Sequence, residues 1–108
     1  GKVRALGVGN PQRSSLFPEI PTISESGLPG YEAYSWTGVM APKGVPKDVI
    51  AKLNQDMVKV LSDPGTAKAM LAAGAEPKPG SPAEFREFLN NEIAKWRDVI
   101  RKANIKLD

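Results

Sequence analysis

Side chains able to do covalent or metal chemistry are scarce in this sequence. It contains no cysteine and no histidine. That removes the thiolate nucleophile, the commonest general base and the commonest metal ligand. Ser14 and Ser15 stand together, but no G-x-S-x-G elbow surrounds them, so they read as loop hydrogen-bonding residues. Glu84, Glu87, Glu92 and Asp98 share one helical stretch and are distributed as a solvated face. No D-x-D-x-D loop or H-E-x-x-H pattern offers a metal site. Gly7-Val8-Gly9 has the start of a phosphate loop but lacks a third glycine and a following helix. Acid–base, nucleophilic and metal catalysis therefore have no visible site. No enzyme activity, metal or cofactor is expected.

The polar loops suit binding better. Asn10, Gln12, Arg13, Ser14 and Ser15 follow the end of a predicted strand. In open α/β sheets, ligands sit beyond the carboxyl ends of strands. Arg13 has the fork geometry that pairs with a carboxylate, and its alternative role is that of a solvent-exposed loop residue. Tyr34, Ser35 and Trp36 form a second lining, with burial in a core as the alternative for Trp36. The ligand-binding candidates are Asn10, Arg13, Ser14, Ser35 and Trp36.

The elements that must position them follow from periodicity and punctuation. Residues 2–9 read as a strand in which Gly7 and Gly9 permit close backbone approach. Thr22-Ile23-Ser24-Glu25 is a capping box that opens one helical turn, stopped by Gly27 and Pro29. Gly30 reverses the chain, and residues 33–41 read as a second strand. Val49, Ile50, Leu53, Met57, Val60 and Leu61 recur at spacings of three and four and predict a helix over 46–62, with Pro46 at its first position. Asp63 caps a short helix that Gly74 stops. Residues 75–80 form an edge strand or a plain connector. Ser81-Pro82-Ala83-Glu84 opens a last helix running to about residue 103, with Phe85, Phe88, Leu89, Ile93, Trp96 and Ile100 on one face.

The totals bound the class. A chain of 108 residues allows one small domain. Its net charge of +3 comes from interspersed signs with no basic stripe, which argues against a nucleic-acid partner. No apolar run approaches the ~18 residues that span a bilayer. The absence of cysteine fits an oxidising compartment. Val3, Ala5, Leu6 and Val8 place a core strand almost at the first residue, as expected of a piece of a longer protein whose signal peptide lies upstream. Two strands beside two long apolar helix faces leave surface that needs covering, so self-association is expected.

The order of motifs carries a resemblance. Gly-Lys-Val-Arg-Ala-Leu-Gly-Val at 1–8, Arg13, Pro18-Glu19-Ile20-Pro21-Thr22, Glu25-Ser26-Gly27-Leu28-Pro29-Gly30-Tyr31-Glu32, Trp36-Thr37-Gly38, Ala41-Pro42-Lys43-Gly44-Val45-Pro46 and Leu53-Asn54 occur in sequence. Asp63-Pro64, Ala73-Gly74-Ala75, Ser81-Pro82 with Phe85 and Phe88, and Glu92 with Trp96 follow. Together they resemble the C-terminal third of the Bug-type receptors, the solute-binding proteins of tripartite tricarboxylate transporters. The resemblance implies an α/β chain, part of a periplasmic-binding-protein (type II-like) fold, with two or three strands, two long helices and two short ones. It implies that residues 1–32 end the second lobe and cross over, and that residues 33–108 return to the first lobe. A single compact unit is expected here. It implies a periplasmic receptor that captures a small carboxylate solute between two lobes and delivers it to membrane permease subunits. Much of that cleft has no counterpart in this sequence, so solute binding by the chain alone is expected to be weak or absent. Val45 stands where such receptors usually carry Thr, which predicts a helix start weaker by ~1 kcal/mol. The alternative reading is a free-standing, self-associating interaction module without solute binding.

Overall fold

Three helices follow one another in the second part of the chain: α1 (Lys47–Leu61), α2 (Pro64–Ala72) and α3 (Pro82–Lys102). They belong to a computed structural model that describes residues 2–106. The chain divides after Pro42 into two units. The single unit expected from the sequence is thus two, because the Pro-Lys-Gly-Val-Pro segment at 42–46 supplies a turn and no packing face.

In the second unit, each helix begins and ends where local chemistry stops it. Pro46 is the residue before α1 and not its first position; its ψ of 145° is extended, and no side chain caps the start. The cap position is therefore filled by proline, one residue beyond Val45. Asp48 in the first turn and Lys59 in the last complement the helix dipole. The Asp63 carboxylate accepts the Thr66 N–H at 2.8 Å and opens α2. After α2, Gly74 turns at φ 80° while the Ala75 N–H closes on the Met70 carbonyl at 2.9 Å. Ser81 and Glu84 form the reciprocal box at α3, with Ser81 N to Glu84 Oε2 at 2.7 Å and Glu84 N to Ser81 Oγ at 3.2 Å. Asn104, at φ 51°, ends α3 as the Ile105 N–H returns to the Ile100 carbonyl at 3.1 Å. The α1 and α2 helices touch, and Asn54 Nδ2 donates to the Gly80 carbonyl at 2.8 Å just before the α3 cap.

Neither strand expected at 2–9 or 33–41 forms a ladder among the described residues. Val8 and Thr22 make one parallel bridge, and no strand is assigned elsewhere in either segment among the described residues. A strand segment is held by a neighbour's N–H and C=O groups, and no neighbouring strand is present for these two. Residues 75–80 are a connector.

The apolar faces have the predicted spacing but little to cover them. No hydrophobic side chain among the described residues is fully buried; Thr22 and Glu92 are the two buried residues. Leu53, Met57 and Val60 of α1 and Ile93, Trp96 and Ile100 of α3 are all exposed. The accessible surface is 9144 Å2 for 11.6 kDa. A compact chain of that mass exposes about 5,800 Å2, and two separately compact units about 7,000 Å2 together. A surplus of roughly 2,000 Å2 or more is thus uncovered.

One acid departs from its expected place. Glu92 is 5% exposed and is not part of a solvated face. It accepts the Trp96 indole N–H at 3.0 Å and pairs with Lys95, whose ammonium lies 5.6 Å from the Trp96 ring centre. The three groups satisfy one another within one helical turn.

Candidate functional site

The first unit is built around two glycines and one capped turn. Val8 donates to the Pro21 carbonyl at 2.9 Å, and its own carbonyl accepts the Ile23 N–H at 2.9 Å. These bonds close the neck of the loop that runs from Asn10 to Pro21. One residue on, the Gly9 carbonyl accepts the Ala33 N–H at 2.9 Å. A Cβ on Gly9 would lie 2.1 Å from the Ala33 oxygen, so this backbone contact exists only because residue 9 has no side chain. The close approach expected at Gly7 and Gly9 is realised, with Ile23 Cγ1 3.2 Å from where a Gly7 Cβ would be.

Thr22 anchors the turn that follows. Its amide donates to Glu25 Oε2 at 2.7 Å, and its hydroxyl accepts the Glu25 N–H at 3.0 Å. The Ser26 hydroxyl donates to the Thr22 carbonyl at 2.8 Å. Gly27 at φ 116° and Gly30 at φ 79° then turn the chain, and Ser24 Oγ accepts the Gly30 N–H at 3.0 Å.

The loop itself is folded by short bonds. Ser14 Oγ accepts the Leu16 N–H at 3.2 Å, the Ser14 carbonyl accepts that of Phe17 at 3.3 Å, and the Phe17 carbonyl accepts that of Ile20 at 3.0 Å. Arg13 turns back across it. Its Nε–H is shared between the two Glu25 oxygens at 3.1 and 3.3 Å, and Nη1 donates to the Pro18 carbonyl at 3.2 Å. The Glu25 carboxyl is held below the usual carboxylate range, first by the Thr22 amide and then by Arg13.

Asn10 leaves the Gly9–Ala33 contact on one side and Ser35 on the other, so that hydrogen bond brings the two polar segments together. Asn10 and Ser14 are half-buried, while Ser35 and Trp36 are exposed. Arg13 lies in the same loop but is directed to Glu25 and Pro18. Glu25 did not stand out in the sequence as an Arg13 partner, because a separation of 12 residues follows no helix or strand period. Glu92 was legible in principle, since Lys95 and Trp96 follow it at i+3 and i+4.

Chemically, the first unit offers amide, hydroxyl and indole groups on two adjacent segments, a set that can hydrogen-bond a small polar ligand. Among the described residues no group of His, Cys, Asp or Glu is placed to hold a metal ion. Among those residues no helix is long and apolar enough to cross a membrane.

The polar loop after Gly9 is joined to the segment that begins at Ala33 by one backbone hydrogen bond, and the family follows from comparison. The family model described as "Tripartite tricarboxylate transporter family receptor" matches residues 1–105, and the chain belongs to that family. Among particular relatives, BugT of Bordetella pertussis is 37% identical over 107 residues, which cover 99% of this chain and 33% of that protein. The UPF0065 protein in the tcbD-tcbE intergenic region of Pseudomonas sp. (strain P51) is 38% identical over 100 residues, covering 92% of this chain and 30% of the relative. The solved structure of R. palustris Rpa4515 with adipate superposes with a TM-score of 0.76 at 36% identity, over 93% of this chain and 33% of the other. The chain has the fold of part of a periplasmic binding protein, and it spans about a third of the length of the relatives it matches.

Proposed function

We propose that this chain is the C-terminal part of a periplasmic receptor that captures a small organic mono- or dicarboxylate, or a related solute, for a tripartite tricarboxylate transporter. In this reading residues 1–32 close the second lobe and cross over, and residues 33–108 return to the first lobe. The loop at 10–15 and the segment at 34–36 are its share of the solute cleft, with Asn10, Ser14, Ser35 and Trp36 as the groups offered to solute and Arg13 in the same loop. Its role is binding and delivery to permease subunits, not catalysis. The observation that carries the reading is the family match over residues 1–105. The likeness to a structure holding adipate, at 36% identity, supports the carboxylate class.

A cleft receptor holds its solute from both sides and excludes water between them. The chain alone is therefore expected to bind adipate with a Kd of about a millimolar or weaker, since exposed polar contacts contribute little in water. Calorimetry with dicarboxylates and aromatic carboxylates tests this. Micromolar binding by the isolated chain would contradict the two-sided cleft.

A self-associating module is the second reading, favoured by one observation: the exposed apolar faces of α1 and α3. The surplus of roughly 2,000 Å2 of total surface per chain exceeds the about 800 Å2 per partner that a standard interface buries. Light scattering at micromolar concentration separates the two. A well-folded monomer rules out association, whereas a dimer that still binds no carboxylate favours the module.

A further inference from the structure

We propose that Arg13 is a positioning residue: by clasping Glu25 and the Pro18 carbonyl it fixes the shape in which the loop of residues 10–21 presents Asn10 and Ser14, and its Nε edge is not offered to solute. What the loop presents rests on the receptor reading above; the clasp rests on this chain's own contacts.

The loop is closed at its neck by the Val8–Pro21 and Ile23–Val8 hydrogen bonds. Nothing in that neck fixes the middle of a 12-residue excursion. Arg13 does so from within the loop, by reaching forward to Glu25 and to Pro18. Glu25 is a rigid anchor because the same Oε2 that meets Arg13 also accepts the Thr22 amide at 2.7 Å. Thr22 is in turn 2% exposed and bridged to Val8. The line of contact thus runs from the loop's middle through Arg13, Glu25 and Thr22 to the residue before Gly9.

The same geometry commits the Nε edge of Arg13 within the chain. The edge that carries Nε is occupied by Glu25, and Nη1 already donates to Pro18. A second carboxylate brought to that edge would face the Glu25 carboxylate at short range, and like charges repel. With side-chain exposures of 46% and 49%, the pair adds little to global stability. Its effect is on which loop conformation is populated.

Nuclear magnetic resonance on the whole chain tests this with Arg13→Ala, Arg13→Lys and Glu25→Gln, the last retaining a capping-box acceptor. Two readouts are followed: amide exchange at Phe17 and Ile20, and the shifts produced by adipate. Arg13→Ala should speed exchange of both amides about five- to tenfold while α3 amides stay unchanged. Glu25→Gln should act in the same direction, and the double variant should be no worse than Arg13→Ala, since the two residues act as one unit. Arg13→Lys should restore part of the protection, because an ammonium reaches one partner at a time. Both Arg13→Ala and Glu25→Gln should weaken the adipate response. A direct solute contact at the Nε edge predicts the opposite sign for Glu25→Gln, since removing the competing carboxylate would free that edge and strengthen the response. Unchanged loop exchange in Arg13→Ala, or a stronger adipate response in Glu25→Gln, overturns the proposal. Coupled loop exchange with no adipate response in any form supports the clasp and tells against the receptor reading alone.

Discussion

Gly9→Ala isolates the contact that assembles the candidate site. A Cβ at residue 9 would meet the Ala33 carbonyl oxygen at 2.1 Å. Ordinary carbon–oxygen contact is about 3.2 Å, so the two backbones must separate by about 1 Å. The neighbour is backbone and cannot rotate away. Forced overpacking costs about 1–3 kcal/mol, and loss of the Ala33-to-Gly9 hydrogen bond adds about 1 kcal/mol. The reduced entropy of the unfolded chain returns about 0.4–1 kcal/mol, since Gly9 is not among the positive-φ glycines. The net is a local destabilisation of about 1–3.5 kcal/mol, equivalent to roughly 5- to 400-fold faster exchange of the Ala33 amide. Hydrogen exchange at Ala33, with Ala103 in the second unit as internal reference, measures it. Gly7→Ala is the control: its Cβ would meet Ile23 Cγ1 at 3.2 Å, a side-chain neighbour that has room to yield. Native exchange at Ala33 in Gly9→Ala, or a larger effect from Gly7→Ala, would refute the argument.

Ser81→Ala removes the cap of α3 and is expected to lower stability by about 1 kcal/mol, read as a lower urea midpoint by circular dichroism; an unchanged midpoint would show that the box is not formed in solution. In the folded chain Glu25 and Glu84 are held below the usual carboxylate range chiefly by the Thr22 and Ser81 amides, and Asp63 by that of Thr66. Their stabilisation is present above the unfolded pKa of about 4 and is lost as pH falls through the lower folded values. Helicity should therefore be flat from about pH 8 to 5 and fall below about pH 4; helicity that rises between pH 5 and 3 would contradict the assignment. Trp96 and Trp36 are similarly exposed, at 42% and 37%, but Trp96→Ala also strips a donor from buried Glu92. It should cost about 1–3 kcal/mol and exceed Trp36→Ala; urea midpoints in the reverse order would sink the ranking.

What was legible in the sequence is what neighbours in the chain decide. Both capping boxes, the Asp63 cap and the stops at Gly27 and Gly74 depend on residues three or four apart, and each lies where the spacing put it. Pro46 fell one position short of the helix it was expected to open, a displacement within the ordinary uncertainty of a helix end. The strands were not decided locally. Alternation at 2–9 and 33–41 describes a chain ready to pair, and a ladder needs more than the Val8–Thr22 bridge and the Gly9–Ala33 hydrogen bond found among the described residues. The site was half legible for the same reason. The polar loop after Gly9 was visible as composition, whereas the turn of Arg13 toward Glu25 depends on a contact 12 residues away. Glu92 looked like one acid among several on a charged helix, yet Trp96 and Lys95 close over it.

The most direct test of the account is to map adipate onto the chain by amide and side-chain chemical shifts, titrated into the tens-of-millimolar range expected for a one-sided site. Saturating shifts are expected to be confined to residues 10–15 and 34–36, led by Asn10, Ser14, Ser35 and the Trp36 indole. Shifts centred on the α1–α2 corner instead, or none at the loop up to the highest concentration, would contradict it.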